Sequence, residues 1–337
     1  MDEYTCLVLI TRGTTIFLLA EAIEVRISLE DIFHLSSTGI TKHPLGSVYN
    51  NCYISYGLRL GDACAKHAED TFHAKRILII SLGTVARSST GLKDLQEALG
   101  NKVVGVTSGL RPNTYFGDDC RKLDVDLIVT LGGGSLSDAS KLVALVIPVI
   151  CVATTLSGGE FTSPAGATDD RDNIKYQFIT DTPAIRLVIL DAEFVTAFTP
   201  IDARRTRRPR WMLKRLLCQM ASINAISAIA RVYTPPGGPH AIGHMLGPLG
   251  VGHGETSGIL LAAVCKYNAR HRANLDRQVA MRNLAEREGL KEGVADLGDI
   301  LTVLVQALDM PTKLADVGVS RENLLDPFAA TNPMVEK

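Results

Sequence analysis

Three consecutive glycines and a serine, Gly132–Ser135, directly follow an apolar run that ends at Leu131. Glycine adopts backbone torsions closed to other residues and lets a phosphate approach main-chain N–H groups. The segment 137–141 begins a predicted helix, whose N-terminal end favours an anion. The pattern predicts a pyrophosphate-binding turn, although it matches neither the Gly-x-Gly-x-x-Gly fingerprint nor a P-loop. The alternative is a tight strand-to-helix turn that holds no ligand.

A second turn of similar composition spans Thr154–Glu160 and also follows an apolar run. It offers hydroxyl groups, flexible backbone and N–H donors. When two such turns lie at the carboxyl ends of parallel strands, they face the same crevice, where open α/β sheets bind ligands. Lys175, further along the chain, is either a cation for phosphate or ribose or a solvated surface lysine.

Three of the eight histidines, His240, His244 and His253, fall within one short segment. His240 and His244 are four residues apart and share a helix face, and the Gly/Pro-rich stretch before His253 lets a third imidazole return to the same point. The cluster predicts either a divalent metal site or an acid/base group, and satisfied structural histidines are the third alternative. Imidazoles alone would form an incomplete metal site, because catalytic sites often add a carboxylate.

Short apolar runs alternate with helical patterns between residues 46 and 200. This alternation predicts an α/β fold with an open, mostly parallel sheet and helices on both faces. The predicted strands are 76–81, 102–106, 126–131, 148–152 and 186–190, and the predicted helices are 63–72 and 92–99. After Pro200, helical periodicity dominates at 211–232, 242–246, 258–268, 275–287 and 294–308.

The length of 337 residues favours two domains. We assign residues 46–200 to the α/β domain and residues 201–337 to an all-helical catalytic or substrate domain. Residues 1–45 show no regular pattern and are predicted to be an irregular N-terminal extension.

The overall composition is that of an ordinary globular protein, with 46% apolar and 21% charged residues. Its 35 basic and 36 acidic side chains nearly cancel, which predicts no nucleic-acid partner and no membrane association. Seven scattered cysteines indicate neither a disulfide framework nor a Cys-based zinc site. The early apolar stretch is interrupted by Arg12 and Glu21, unlike a signal peptide. These features predict a cytoplasmic protein.

Together these segments resemble the iron-containing (group III) alcohol dehydrogenase superfamily, and within it the maleylacetate reductase-like members. The matching pieces are 132–141, 154–160, 190–200, 240–260 and 308–333. The resemblance implies a dehydroquinate synthase-like α/β domain and a helical domain. It also implies an NAD(H) or NADP(H) cofactor across the two turns, hydride transfer to a small-molecule substrate at the interdomain cleft, and a homodimer.

The resemblance further implies roles for particular residues. Those that would hold the pyrophosphate and ribose, or line the nicotinamide side, are Gly132, Gly133, Gly134, Ser135, Asp138, Thr154, Thr155 and Ser157. His240 and His253 would match two ligands of Fe or Zn, with His244 as a proton relay. Ser81, with Thr84 nearby, stands where a strict NAD enzyme often has Asp. Because a missing carboxylate removes repulsion against a 2′-phosphate, NADPH is admitted as well as NADH.

The chain departs from the family between Pro200 and Trp211. There the family carries an Asp and a His that complete the metal site, whereas residues 203–210 are rich in arginine and contain no Asp-x-x-x-His. The maleylacetate reductase-like members work without that metal. The arginine run lacks aromatic residues and is interpreted as a solvated connection, or as the source of one arginine for a substrate carboxylate.

Three functional hypotheses follow. The first is reduction of a ketone or enoate that bears a carboxylate, with His240, His244 or His253 supplying the proton. The second is metal-assisted oxidation of an alcohol. The third is a nucleotide-binding protein without turnover, whose shortened helical domain no longer closes the cleft.

Overall fold

The computed structural model describes residues 8–10, 16–18, 43–44, 52–109, 120–163, 165–169, 174–178, 185–195, 215–223, 225–226, 237–246, 249–287, 295–321 and 324. The chain divides into two compact units, one of residues 18–232 and one of residues 1–17 with 233–337. The domain boundaries predicted near residues 45 and 200 lie outside the described residues.

Eleven strands are found in the described residues. They are β1 (Val8–Ile10), β2 (Ile16–Leu18), β3 (His43–Pro44), β4 (Tyr53–Tyr56), β5 (Ile77–Ser81), β6 (Val103–Ser108), β7 (Leu127–Gly132), β8 (Val149–Ala153), β9 (Ala165–Asp169), β10 (Ile174–Phe178) and β11 (Leu187–Leu190). The first three lie in the segment for which sequence analysis predicted no regular elements, and β1 pairs with β2. The five predicted strands are confirmed as β5, β6, β7, β8 and β11.

The main sheet has the strand order β3-β4-β11-β8-β7-β5-β6. Every neighbouring pair is parallel except β3 with β4, which is antiparallel at the edge. The predicted open, mostly parallel sheet is therefore confirmed. Because β7 lies between β5 and β8, the turns that follow these three strands open at the same edge of the sheet.

Both faces of this sheet are buried, as the continuous apolar runs of its strands require. Successive residues point to opposite faces, so Leu78 and Ile80 pack in one core cluster while Ile77 and Ile79 pack in the other. The helices α1 (Leu60–Asp70), α2 (Gly83–Ser88) and α3 (Gly91–Leu99) contribute to the second cluster, and α4 (Gly134–Val143) to the first. This packing on both faces fixes the positions of the strand ends relative to one another.

Two further elements belong to the larger unit. Strands β9 and β10 form an antiparallel two-stranded sheet, which sequence analysis did not predict. A helix over 215–223 places Leu216, Met220 and Ile223 in the same core cluster as the sheet residues. This helix therefore packs with the α/β unit, although sequence analysis assigned it to the helical domain.

The described residues of the smaller unit after position 236 are helical or lie in turns and loops. The helices are α5 (Gly238–Leu246), α6 (His253–Arg270), α7 (Leu275–Arg287) and α8 (Leu297–Ala307), which match the predicted helical periodicity. Among the helices that the structure describes, none is both long enough and apolar enough to cross a membrane.

Asp191, the first residue after β11, links the end of this strand to the start of the helix that follows the neighbouring strand β4. Its carboxylate is 6% exposed and accepts N–H groups from Leu60 at 2.8 Å, from Glu193 at 2.9 Å and from Phe194 at 2.9 Å. Burial raises the pKa of Asp191, and these backbone hydrogen bonds oppose that rise. The carboxylate thus anchors the start of α1 to the end of β11.

We expect Asp191→Ala to lower the free energy of unfolding by about 3 kcal/mol, because three N–H groups lose their shared acceptor. Denaturant unfolding followed by circular dichroism measures the change. Glu193→Ala is the control, since its partially exposed pair with Arg59 spans 3.1 Å and contributes under about 1 kcal/mol. Equal losses in the two variants would contradict the role of Asp191.

Candidate functional site

The glycine turn joins β7 to α4. Gly133 is the N-cap residue of α4 and has no side chain to accept the N–H groups of the first helical turn. The helix closes immediately, because Leu136 N and Ser137 N donate to Gly133 O at 3.0 Å and 3.1 Å. Because no cap side chain accepts these N–H groups, the N-terminal end of α4 is suited to an external anion.

The turn after β8 lies against this glycine turn. Thr154 N donates to Gly132 O at 3.1 Å. A Cβ added to Gly133 would lie 2.7 Å from Thr155 Cγ2, and one added to Gly134 would lie 3.1 Å from Ser157 Oγ. We call the two turns, residues 132–135 and 154–159, the glycine cradle. The two turns thus lie against each other, and a side chain at Gly133 or Gly134 would press on side chains of the second turn.

The hydroxyl groups of the cradle differ in their surroundings. Thr155 and Ser157 are exposed, with their oxygens 3.1 Å apart. Thr154 is partly buried. Ser135 is placed in the first turn of α4, but its side chain lies outside the described residues.

Asp138 is held at the rim of the cradle by a buried lysine. Lys141 Nζ lies 2.9 Å from Asp138 Oδ1 and donates to Thr162 Oγ1 at 2.9 Å. The Lys141 side chain is 3% exposed and the Asp138 side chain 35%. A Cβ added to Gly159 would lie 3.9 Å from the same Asp138 oxygen. Lys141 therefore fixes one carboxylate oxygen of Asp138 close to the second turn.

Glu160, the residue that ends the second turn, is 2% exposed. Burial raises its pKa to about 7, while a backbone hydrogen bond and the charge of Lys141 act in the opposite direction. Lys141 and Glu160 end the two sequence motifs 132–141 and 154–160, but no role was predicted for either residue. The available signal was the spacing of Lys141 three residues after Asp138, which places both on one face of α4.

Two of the predicted cofactor contacts, Ser81 and Lys175, lie outside the glycine cradle. Ser81 is 1% exposed and its hydroxyl donates to Leu82 O at 3.2 Å, and its contact with the cofactor stays a prediction. The side chain exposed at this end of β5 is that of Thr84. Lys175 lies in β10 opposite Thr168, and its side chain is outside the described residues.

The three histidines lie on two helices of the smaller unit. His240 and His244 are both in α5, as their spacing predicted, and His253 is the first residue of α6. A Cβ added to Gly243 would lie 2.7 Å from Thr256 Oγ1, so α5 and α6 are in close contact. His240 is partly buried and has an interaction partner, whereas the side chains of His244 and His253 lie outside the described residues.

Of the two predicted metal ligands, the structure describes the side chain of His240 but not that of His253. No group of three or more His, Cys, Asp or Glu side chains suitable for a metal ion occurs among the described residues. The arginine-rich segment 203–210 lies outside the described residues.

Two family models match the chain. Iron-containing alcohol dehydrogenase matches residues 57–192, and the C-terminal domain of the Fe-containing alcohol dehydrogenase family matches residues 215–332. Dehydrogenase FUM7 of Gibberella moniliformis (strain M3125 / FGSC 7600) is 31% identical over 82% of this chain and 89% of that relative.

Solved structures share the fold at lower sequence identity. Sulfoacetaldehyde reductase from Bifidobacterium kashiwanohense in complex with NAD+ is 18% identical, with a TM-score of 0.64 over 84% of this chain and 91% of that one. Maleylacetate reductase from Agrobacterium tumefaciens is 22% identical, with a TM-score of 0.61 over 83% of this chain and 89% of that one.

The parallel sheet and the glycine cradle define an α/β protein with glycine-rich turns at the carboxyl ends of neighbouring strands. The chain belongs to the iron-containing alcohol dehydrogenase family, and it is thus a member of a family of oxidoreductases. The resemblance recognised in the sequence is confirmed.

Proposed function

We propose that this chain transfers hydride between NAD(H) or NADP(H) and a carbonyl or alcohol substrate. The observation that carries the proposal is the convergence of two turns in the glycine cradle, where a Cβ at Gly133 or Gly134 would lie only 2.7 Å or 3.1 Å from a side chain of the second turn. Membership of a dehydrogenase family supports it. The sulfoacetaldehyde reductase that shares this fold is described with NAD+, which supports the choice of cofactor.

Each part of the cradle has a task in this proposal. The nicotinamide, when bound, supplies or accepts the hydride. The backbone N–H groups of Gly133 and Gly134 donate to the diphosphate at the start of α4. Asp138, oriented by Lys141, accepts a hydrogen bond from a ribose hydroxyl. The Thr155 and Ser157 hydroxyls line the nicotinamide side.

The proton is assigned to a histidine of α5 or α6, with His240 as the residue to test first. We propose a substrate that carries both a carbonyl or enoate group and a negative charge. Maleylacetate and sulfoacetaldehyde, the compounds named for two proteins of this fold, are both anionic carbonyl compounds. The homodimer, the cytoplasmic location and the absence of a nucleic-acid partner remain predictions.

We expect the purified protein to quench or shift NADH or NADPH fluorescence and to oxidise the cofactor with at least one member of a panel of keto acids, enoates and aldehydes. His240→Ala is expected to lower kcat by roughly 100-fold or more, because a general acid contributes about 10²–10⁴. Cofactor affinity is expected to stay unchanged. Parallel assays with and without a chelator test metal involvement.

His271→Ala is the matched control, because His271 is an exposed histidine at the end of α6. Cofactor binding without consumption across the whole panel would favour a binding protein that has lost turnover. If no nicotinamide nucleotide bound to folded protein, the proposed function would be overturned.

A further inference from the structure

The end of β5 carries no carboxylate. The residues that follow Ser81 there are Leu82, Gly83 and Thr84. Leu82 N donates to Leu131 O at 3.1 Å, and a Cβ added to Gly132 would lie 2.8 Å from Leu82 Cγ. The end of β5 is therefore in direct contact with the glycine cradle. A dinucleotide whose diphosphate lies on the cradle extends over a neighbouring strand end.

A guanidinium group lies over this strand end. Arg87 is exposed, and its Nη1 would be 3.0 Å from a Cβ added to Gly83. The Cα of Gly109, which follows β6, would be 3.6 Å from that Cβ. Thr84 is exposed beside it and adds a hydroxyl donor. A cation and a hydroxyl thus lie beyond the end of β5, where the chain has no carboxylate.

The acidic side chains of α3, the helix that follows Arg87 in the chain, have partners other than this cation. Arg87 has no ion pair in the part of the chain that the structure describes. On α3, Asp94 accepts a hydrogen bond from Thr90 at 2.9 Å, and Glu97 pairs with Lys93 at 3.6 Å. Among the described residues, no carboxylate therefore competes with an external anion for Arg87.

We propose that Arg87, together with Thr84, binds the 2′-phosphate of NADP(H) and makes this chain selective for NADP(H) over NAD(H). The inference rests on the proposed function, because it assumes that a nicotinamide dinucleotide occupies the cradle. A planar guanidinium matches a phosphate with two parallel hydrogen bonds. At a dinucleotide site, a carboxylate at a strand end selects the 2′-hydroxyl of NAD, whereas a nearby arginine accommodates the 2′-phosphate.

The test is fluorescence titration of the wild-type protein and of Arg87→Ala with NADPH and NADH. The wild-type protein is expected to bind NADPH at least roughly tenfold more tightly, which is the effect of one hydrogen bond to a charged group. Arg87→Ala is expected to weaken NADPH binding by a similar factor and to leave NADH binding within about twofold. Calorimetry with 2′,5′-ADP and 5′-AMP repeats the comparison without the nicotinamide.

Two further variants test whether the NADPH-to-NADH preference depends on the position of Arg87 and on the missing carboxylate. Lys93→Ala removes an exposed cation from the adjacent helix and is expected to leave the NADPH-to-NADH ratio unchanged. Thr84→Asp restores a carboxylate at an exposed position and is expected to reverse the preference toward NADH. Circular dichroism verifies that each variant is folded.

The outcomes separate this inference from the proposed function. Binding of both dinucleotides with no preference for NADPH, or a preference that survives in Arg87→Ala, would overturn the role of Arg87 and leave the proposed function intact. An equal loss in Lys93→Ala would show non-specific attraction and would also overturn it. Failure of both dinucleotides to bind would overturn both proposals.

Discussion

Gly133→Val is expected to lower the affinity for the nicotinamide cofactor by roughly 100-fold or more. The backbone at Gly133 has φ −99° and ψ −164°, which any residue adopts, so the substitution introduces no backbone strain. Its side chain instead fills the cradle, because the Cβ alone would lie 2.7 Å from Thr155 Cγ2. A diphosphate kept away from two N–H donors loses about 1.5–3 kcal/mol for each charge-assisted hydrogen bond. Fluorescence titration measures the affinity.

The matched control is Gly254→Val, since a Cβ at Gly254 would meet no atom within 4 Å. Both variants are compared by cofactor affinity and by thermal unfolding. Gly133→Val that unfolds like wild type yet binds the cofactor with unchanged affinity would contradict the assignment of the diphosphate to the glycine cradle. The double variant Gly133→Val with Thr155→Ala relieves the collision with Thr155 and is still expected to bind poorly, because the valine remains in the phosphate position.

Lys141→Met is expected to reduce cofactor affinity roughly tenfold or more and to lower the free energy of unfolding by about 3 kcal/mol. Breaking a buried ion pair costs about 3–5 kcal/mol, and the lower end applies because Asp138 is 35% exposed. Without the Nζ contact at 2.9 Å, Asp138 no longer holds one position at the rim of the cradle. Denaturant unfolding and cofactor titration measure the two effects.

The pH dependence of stability gives Lys141→Met a second readout. Burial raises the pKa of Glu160 from 4.5 to about 7, so the folded chain binds more protons than the unfolded chain between these values. Stability from this group therefore falls as pH rises from about 4.5 to about 7. Because the charge of Lys141 lowers the pKa of Glu160, its removal is expected to extend the fall to higher pH. Glu160→Gln is expected to remove this component of the profile.

Lys66→Met is the control for Lys141→Met. Lys66 pairs with Asp70 at 3.1 Å, but the two side chains are 45% and 58% exposed. An exposed pair at this spacing contributes about 0.3–0.5 kcal/mol. If Lys141→Met lowered the free energy of unfolding as little as Lys66→Met and left cofactor affinity unchanged, Lys141 would have no role in positioning Asp138.

The strands of the sheet were predictable where apolar residues run without interruption. Ile77–Ser81 and Leu127–Gly132 are buried on both faces, and such burial leaves a continuous apolar run in the sequence. Tyr53–Tyr56 was missed because it is only four residues long and contains the fully buried polar residue Ser55. The hairpin of β9 and β10 was not predicted, because polar residues interrupt the apolar run that marks the other strands.

The two glycine turns, the helical spacing of His240 and His244, and the family of the chain are recognisable from the amino-acid sequence alone. Local chemistry was sufficient for these, since glycine runs, apolar periodicity and motif order depend on neighbours along the chain. The burial of Ser81, the position of Arg87 over the end of β5 and the contact of Lys141 with Asp138 are visible only in the folded chain. Burial and charge pairing depend on contacts between separate elements, which a linear pattern does not record.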